Sequence, residues 1–170
     1  MLKKTYLASI LVLIFTINME AKDNVFIGLE MGYATSTFDI STPNTGIETE
    51  STTYQQFKIG KYFDTFRVCI DLDAGKNIGA GFDYLINMNN SKFTPYIGTG
   101  LYYTSHDFKG GDAKGISLPV VVGSLYKIDD KFDFEFGFRY IFDTYEYKSS
   151  TLKYKYKNGQ NYFVGINYNF

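Results

Sequence analysis

Along residues 131–144 the chain alternates without a break. Phe132, Phe134, Phe136, Phe138, Tyr140 and Phe142 hold the even positions, and Asp133, Glu135, Gly137 and Arg139 stand between them. An amphipathic helix repeats its apolar residues at three and four. A period of two over this length therefore predicts a strand with one aromatic and one polar face. The same alternation recurs along the chain. Val25, Ile27, Leu29, Met31 and Tyr33 interleave with Phe26, Gly28, Glu30, Gly32 and Ala34. Phe57, Ile59 and Phe63 interleave with Gln56, Lys58, Gly60 and Tyr62, and Phe66, Val68, Ile70 and Leu72 with Arg67, Cys69, Asp71 and Asp73. Ile78, Ala80, Phe82, Tyr84 and Ile86 are set against Gly79, Gly81 and Asp83, and Ile116, Leu118, Val120 and Val122 against Ser117, Pro119 and Gly123. The last segment sets Tyr162, Val164, Ile166, Tyr168 and Phe170 against Asn161, Gly165, Asn167 and Asn169. Over 93–105 two phases compete. The favoured one puts Ile97, Thr99, Leu101 and Tyr103 on the apolar face, with Gly98 and Gly100 opposite and Pro95 near the strand entry, where a missing donor matters least.

This makes eight strands whose connections alternate in length. Those at 64–65, 88–91 and 128–130 are short, and those at 39–51, 106–114 and 148–159 are long; only the link near Gly75 is short on the longer side. Short turns at one end and long loops at the other predict an antiparallel barrel across an outer membrane. Residues 1–21 carry Lys3 and Lys4, an apolar stretch over 7–17 and a small residue at Ala21, the order of a secretory signal. Residues 22–170 are then the barrel, and no later apolar run is long enough for a spanning helix.

The face that points outward is decided by what lies opposite it. Glu30, Lys58, Arg67, Asp71, Asp73, Asp83, Asp133, Glu135 and Arg139 share the glycine-rich face, whereas the centres of the apolar faces carry no charge. A soluble barrel would have to enclose six large aromatic residues from one strand in a narrow interior. Lipid imposes no such volume limit, and each large side chain placed there gains about 1.5–3 kcal/mol over exposure to water. The expected fold is an all-β, eight-stranded antiparallel up-and-down transmembrane β-barrel, apolar outside.

Composition agrees with that reading. The chain has 16 Tyr, 16 Phe, 16 Gly and no Trp, which favours strands and turns over helices. Setting aside Lys3, Lys4 and Glu20 leaves 15 basic against 17 acidic residues, too even a balance for nucleic-acid binding. A single cysteine, Cys69, excludes an internal disulfide or a multi-cysteine metal site. It is expected to face inward as an inert thiol.

The terminal residues Tyr162, Phe163, Val164, Gly165, Ile166, Asn167, Tyr168, Asn169 and Phe170 resemble the terminal assembly signal of bacterial outer-membrane barrels, with aromatic or aliphatic residues alternating back from a final Phe. The run Thr94, Pro95, Tyr96, Ile97, Gly98, Thr99, Gly100 and Leu101 is similar to the fifth-strand region of the small outer-membrane β-barrel domain family, which includes the OmpA transmembrane domain and OmpX-like proteins. The resemblance covers nearly the whole chain after residue 21. It implies residence in the cell outer membrane of a Gram-negative envelope, insertion by the barrel assembly machinery, and contact with outer-membrane lipid and lipopolysaccharide as a monomer. With no further segment after Phe170, anchoring to the cell wall in the OmpA manner is not expected.

Three groups of residues are candidates for chemistry. The first is an inward charged network of Glu30, Lys58, Arg67, Asp71, Asp83, Asp133, Glu135 and Arg139. Stripping one partner from a buried ion pair costs about 3–5 kcal/mol. Arg67, Arg139 and Lys58 are therefore expected to bridge several carboxylates and fill the lumen, the alternative being a gated ion path. The second is His106, the only histidine, beside Ser105 and Asp107. Adjacent residues point in different directions, so a solvated loop histidine is the expectation and a catalytic base the alternative. The third is the alternation Lys153, Tyr154, Lys155, Tyr156, Lys157, which with Lys148 forms a basic rim for lipopolysaccharide phosphates or a solvated hairpin. Its lysines share parity with the inward residues and are expected to meet Asp143 across a hairpin. No catalytic residue, cofactor or metal is assigned. The expected function is a structural or surface-interaction role with a plugged lumen. A lipid-modifying enzyme using His106 and a narrow pore are the alternatives.

Overall fold

The computed structural model describes residues 24–41, 46–73, 77–108, 111–143, 146–148 and 153–170. The expected signal segment lies outside them. The elements are β1 (Val25–Ser41), β2 (Gly46–Tyr62), β3 (Phe66–Asp73), β4 (Ile78–Leu85), β5 (Phe93–Phe108), β6 (Gly111–Lys127), β7 (Phe132–Asp143), the three-residue β8 (Glu146–Lys148) and β9 (Lys153–Asn169). Each pairs antiparallel with its neighbour, β7 passes to β9, and β9 returns to β1. β8 adds only a short extension beside β9. The wall is thus eight strands closed on themselves, the only sheet form with no unpaired edge to present to lipid.

The strand faces fall as the alternation requires. Leu29, Met31, Ile70, Phe82, Phe134, Phe136, Val164 and Ile166 are exposed on the outer wall. Glu30, Lys58, Arg67, Asp71, Asp83, Glu135 and Arg139 are buried in the interior. β5 takes the favoured phase. Ile97 is 50% exposed and Leu101 56%, while Tyr96 points inward at 3%. Cys69 is inward and buried.

Two features depart from expectation. The long connections are mostly strand: β1 and β2 stay in register from Val25 opposite Lys61 to Ile40 opposite Gly46, and β5 and β6 pair up to Phe108 opposite Gly111. Threonine and serine alternation over 35–53 carries the ladder beyond the apolar band, where no hydrophobic signal marks it. The second departure is at the top of β9. Thr37 lies opposite Asn158 but Phe38 opposite Tyr156, so Lys157 is an extra residue in a bulge. A bulge exchanges the two faces beyond it.

Glycine on the inner face makes room for rings. A Cβ at Gly123 would stand 2.6 Å from the Tyr96 ring, and one at Gly137 would stand 2.6 Å from the Phe163 ring. The turns also follow local chemistry. Asn90 takes a positive φ of 61° in the 88–91 turn, and Ser91 N–H donates to Met88 O at 2.9 Å. At the 128–131 turn Asp129 Oδ1 accepts from the Lys131 and Phe132 N–H groups, both at 2.8 Å.

Gly123→Val should force the Tyr96 ring off its seat and destabilise the barrel by about 1–3 kcal/mol, read as a lower urea midpoint in lipid vesicles. Unboiled protein in a detergent gel should migrate apart from boiled protein, as a closed barrel that resists detergent does.

Candidate functional site

Six inward side chains from five strands form one line of alternating charge across the lumen. Arg67 on β3 donates through Nε to Asp83 Oδ2 of β4 at 2.7 Å and through Nη2 to Glu135 Oε1 of β7 at 2.5 Å. Lys58 on β2 lies 3.2 Å from Glu135 Oε1 and 3.0 Å from Glu30 Oε2 of β1. Glu30 in turn accepts both terminal nitrogens of Arg139 from β7, at 3.1 and 3.2 Å. The sequence Asp83, Arg67, Glu135, Lys58, Glu30, Arg139 is therefore acid, base, acid, base, acid, base. It sums to zero charge, and each interior member touches an opposite charge on both sides.

Glu135 is the hub. It is 1% exposed and accepts from Lys58, Arg67, the Tyr96 hydroxyl at 2.6 Å and Asn167 Nδ2 at 3.0 Å. Such saturation is what a buried carboxylate requires. Tyr54 donates to Glu30 Oε1 at 2.8 Å, occupying that carboxylate from a further side. The cations also rest on rings: Arg67 sits 4.6 Å from the Tyr96 centroid and Arg139 4.9 Å from that of Phe163.

Two residues expected in the network sit apart from the line. Asp71 accepts the Tyr102 hydroxyl and lies 3.8 Å from Cys69 Sγ. Asp133 is half-buried near the short-turn end, where Asn169 Nδ2 donates to it at 2.8 Å. In the other direction, the inward tyrosines at 54, 96 and 102 and Asn167 take part without having been singled out. Their signal was positional: each has the parity of the charged face.

Lys155 and Lys157 do not turn inward as their parity suggests. The bulge at Lys157 puts Tyr156 in the interior, edge-on to Phe38 at 5.5 Å, and turns Lys155 to the exterior. Lys155 stands between Asp39 on β1 and Glu146 on β8 in the pairing register, and Lys157 Nζ is 3.7 Å from Asp39. Lys148 and Lys153 are register partners. Their side chains, and those of His106, Asp107 and Asp143, lie outside the described residues. Among the described residues no cluster of three potential metal ligands occurs.

Beside the ionic line, Leu85, Tyr96, Val121, Leu125 and Phe163 form an apolar cluster, with Val121 in register with Arg139 and Leu125 with Glu135. Glu135→Gln should lower stability by about 3–5 kcal/mol because Lys58 and Arg67 lose their shared counter-charge. Asp133→Asn, which keeps an acceptor for Asn169, should cost no more than about 1 kcal/mol. Urea unfolding in vesicles separates the two.

No family model matches the chain, and no curated protein matches it. Solved structures do. Neisserial surface protein A aligns with a TM-score of 0.63 and 20% identity, over 86% of this chain and 97% of that one. The N-terminal β-barrel domain of OprF from Pseudomonas aeruginosa gives 0.56 at 12% identity, over 87% and 98%. The outer-membrane protein OprG from the same organism gives 0.53 at 17%, over 87% and 97%. With its apolar exterior, charged interior and closed wall of eight strands, the chain has the fold of the small OmpA- and OmpX-like outer-membrane β-barrels.

Proposed function

We propose that the protein is a closed outer-membrane barrel with a structural or surface-interaction role, not a conduit and not an enzyme. The observation that carries this reading is the ionic line from Asp83 to Arg139, which crosses the lumen with the apolar side chains around Phe163 packed between its members. An ion passing through would have to break a charge lattice packed among apolar side chains, a costly step. Purified protein in planar bilayers should therefore give no conductance above background. Discrete single-channel steps from the wild-type chain would overturn the reading.

The outward lysines favour lipopolysaccharide as the surrounding partner. The bulge sets Lys155 on the outer wall above the apolar band, and Lys157 is also exposed. Replacing both by Glu should weaken binding of lipopolysaccharide several-fold in a pull-down at low salt, with the difference shrinking as salt rises. Insertion by the barrel assembly machinery and a monomeric state complete the reading. At the end of β9 the Phe170 N–H donates to Val25 O at 3.0 Å, which ties the last strand to the first, and its ring is exposed.

A further inference from the structure

β2 stands taller than the strand beside it. β3 ends at Asp73 opposite Gln56, and the chain turns back there, with the Asp73 N–H donating to Asn77 O at 3.0 Å. β2 instead continues from Gln55 up to Gly46. In an antiparallel ladder successive residues send their N–H and C=O groups to opposite sides. The Tyr62 N–H donates to Asn24 O on the β1 side at 2.8 Å, and the Phe63 N–H to Phe66 O on the β3 side at 2.7 Å. Even residues of β2 therefore bond to β1, and odd ones face β3. The β1–β2 register is unbroken up to Ile40 opposite Gly46, so this parity holds to the rim. There Ile47, Thr49 and Ser51 direct their peptide groups away from β1, beyond the end of β3. Residues 46–53 are exposed, and among the described residues these peptide groups have no partner.

The other tall strands offer less of an edge. β1 is paired to its top on both sides, by β2 and β9. β9 carries the bulge at Lys157 and is flanked by β8, which also contacts β6. On β5 the odd residues face β4, as the Ile86 N–H donating to Pro95 O shows, and the Ser105 N–H is taken by Asn77 Oδ1 at 3.2 Å. Exposed edges are ordinarily blunted by proline, lysine or a bulge. Residues 46–55 of β2 contain none of these, and Ile47, Thr49, Thr52 and Thr53 are β-branched residues suited to strand pairing. β3 and β4 separate β2 from β5, so the space above their turn is two strands wide.

We infer that the upper edge of β2 is a docking site for an extended polypeptide segment of another protein, added to the sheet as a strand antiparallel to β2 in the place above Asp73. A row of N–H and C=O groups at the spacing of a strand is matched by another extended backbone. Ile47, Thr49 and Ser51 each exchange bonds with it, over a segment of about five residues. The side chains set the preference. Ile47, which is 66% exposed, shares one face with Thr49 and Ser51, and this face favours β-branched or hydroxyl residues in the partner. Glu48 lies on the other face and favours lysine or arginine opposite it. A second copy in the same membrane runs its own β2 in the same direction, so that edge cannot supply the antiparallel strand. The inference rests on the surface-interaction reading, whereas bilayer conductance tests the closed lumen separately.

The test is fluorescence anisotropy of a labelled synthetic peptide, Thr-Lys-Val-Lys-Thr-Lys-Val, with the full chain in detergent micelles at low salt. The peptide should bind with a Kd below about 1 mM. Its threonines and valines lie opposite Ile47, Thr49 and Ser51, so their N–H groups are the ones that meet β2. N-methylation of those residues should weaken binding at least about tenfold, whereas N-methylation of the lysines should leave it within about twofold. Thr49→Pro removes an N–H that faces the edge and not β1, so the barrel should keep its folded gel mobility while binding falls at least about tenfold. Should Thr49→Pro fail to fold, the two methylated peptides read the same property on the wild-type chain. The inference fails if the peptide shows no binding at about 1 mM. It also fails if the two methylated peptides bind alike, the outcome of charge attraction to Glu48 alone, or if folded Thr49→Pro binds as the wild type does.

Discussion

Lipid offers no hydrogen-bond partner to a peptide group, so a sheet placed in it must pair its last strand with its first. In this chain that pairing is β1 with β9, from Phe26 opposite Asn169 up to Ser41 opposite Lys153. Most of the architecture follows from that closure. Eight strands enclose a space only wide enough for side chains. The alternation that puts aromatic residues against lipid then delivers every second residue, charged or not, into the same narrow interior. Closure creates the volume problem and the electrostatic problem together.

Both are solved by the same residues. Charged groups that would be costly alone are arranged so that acid and base alternate from Asp83 to Arg139, with the saturated Glu135 at the crossing of two cations. Inward glycines leave space on one strand for a ring from another, as with Gly123 and Tyr96. Those rings then serve twice, filling volume and lying against the guanidinium groups of Arg67 and Arg139. The interior is layered as a result: ionic and apolar side chains interleave through its middle, and hydroxyl groups gather towards the long hairpins.

The layering also gives the molecule its polarity. One end carries the short turns, and the other rises into the β1–β2 and β5–β6 hairpins, with strands β3 and β4 shorter between them. There the wall has left the apolar band, and threonine, serine and lysine replace aromatic residues on its outside.

Alternation, together with the charge and glycine content of the opposite face, determined the fold class, the facing of the strands through the apolar band and the identity of the inward charges, because a pleated strand allows only two directions and lipid selects one of them. The phase of β5 was legible on the same ground once Ile97 and Leu101 had to match their neighbours. What alternation cannot carry is distance around the barrel. It placed Glu135 and Lys58 on one face but not 3.2 Å apart, since they come from strands far apart in sequence that only closure brings together. Nor could it separate Asp133, near the short-turn end, from Glu135, two residues away at the centre. The outward turn of Lys155 depended on a single extra residue at Lys157, which leaves the local pattern intact and changes only its phase against β1. Local periodicity decided which way each side chain points; shear, bulges and ring closure decided which side chains meet.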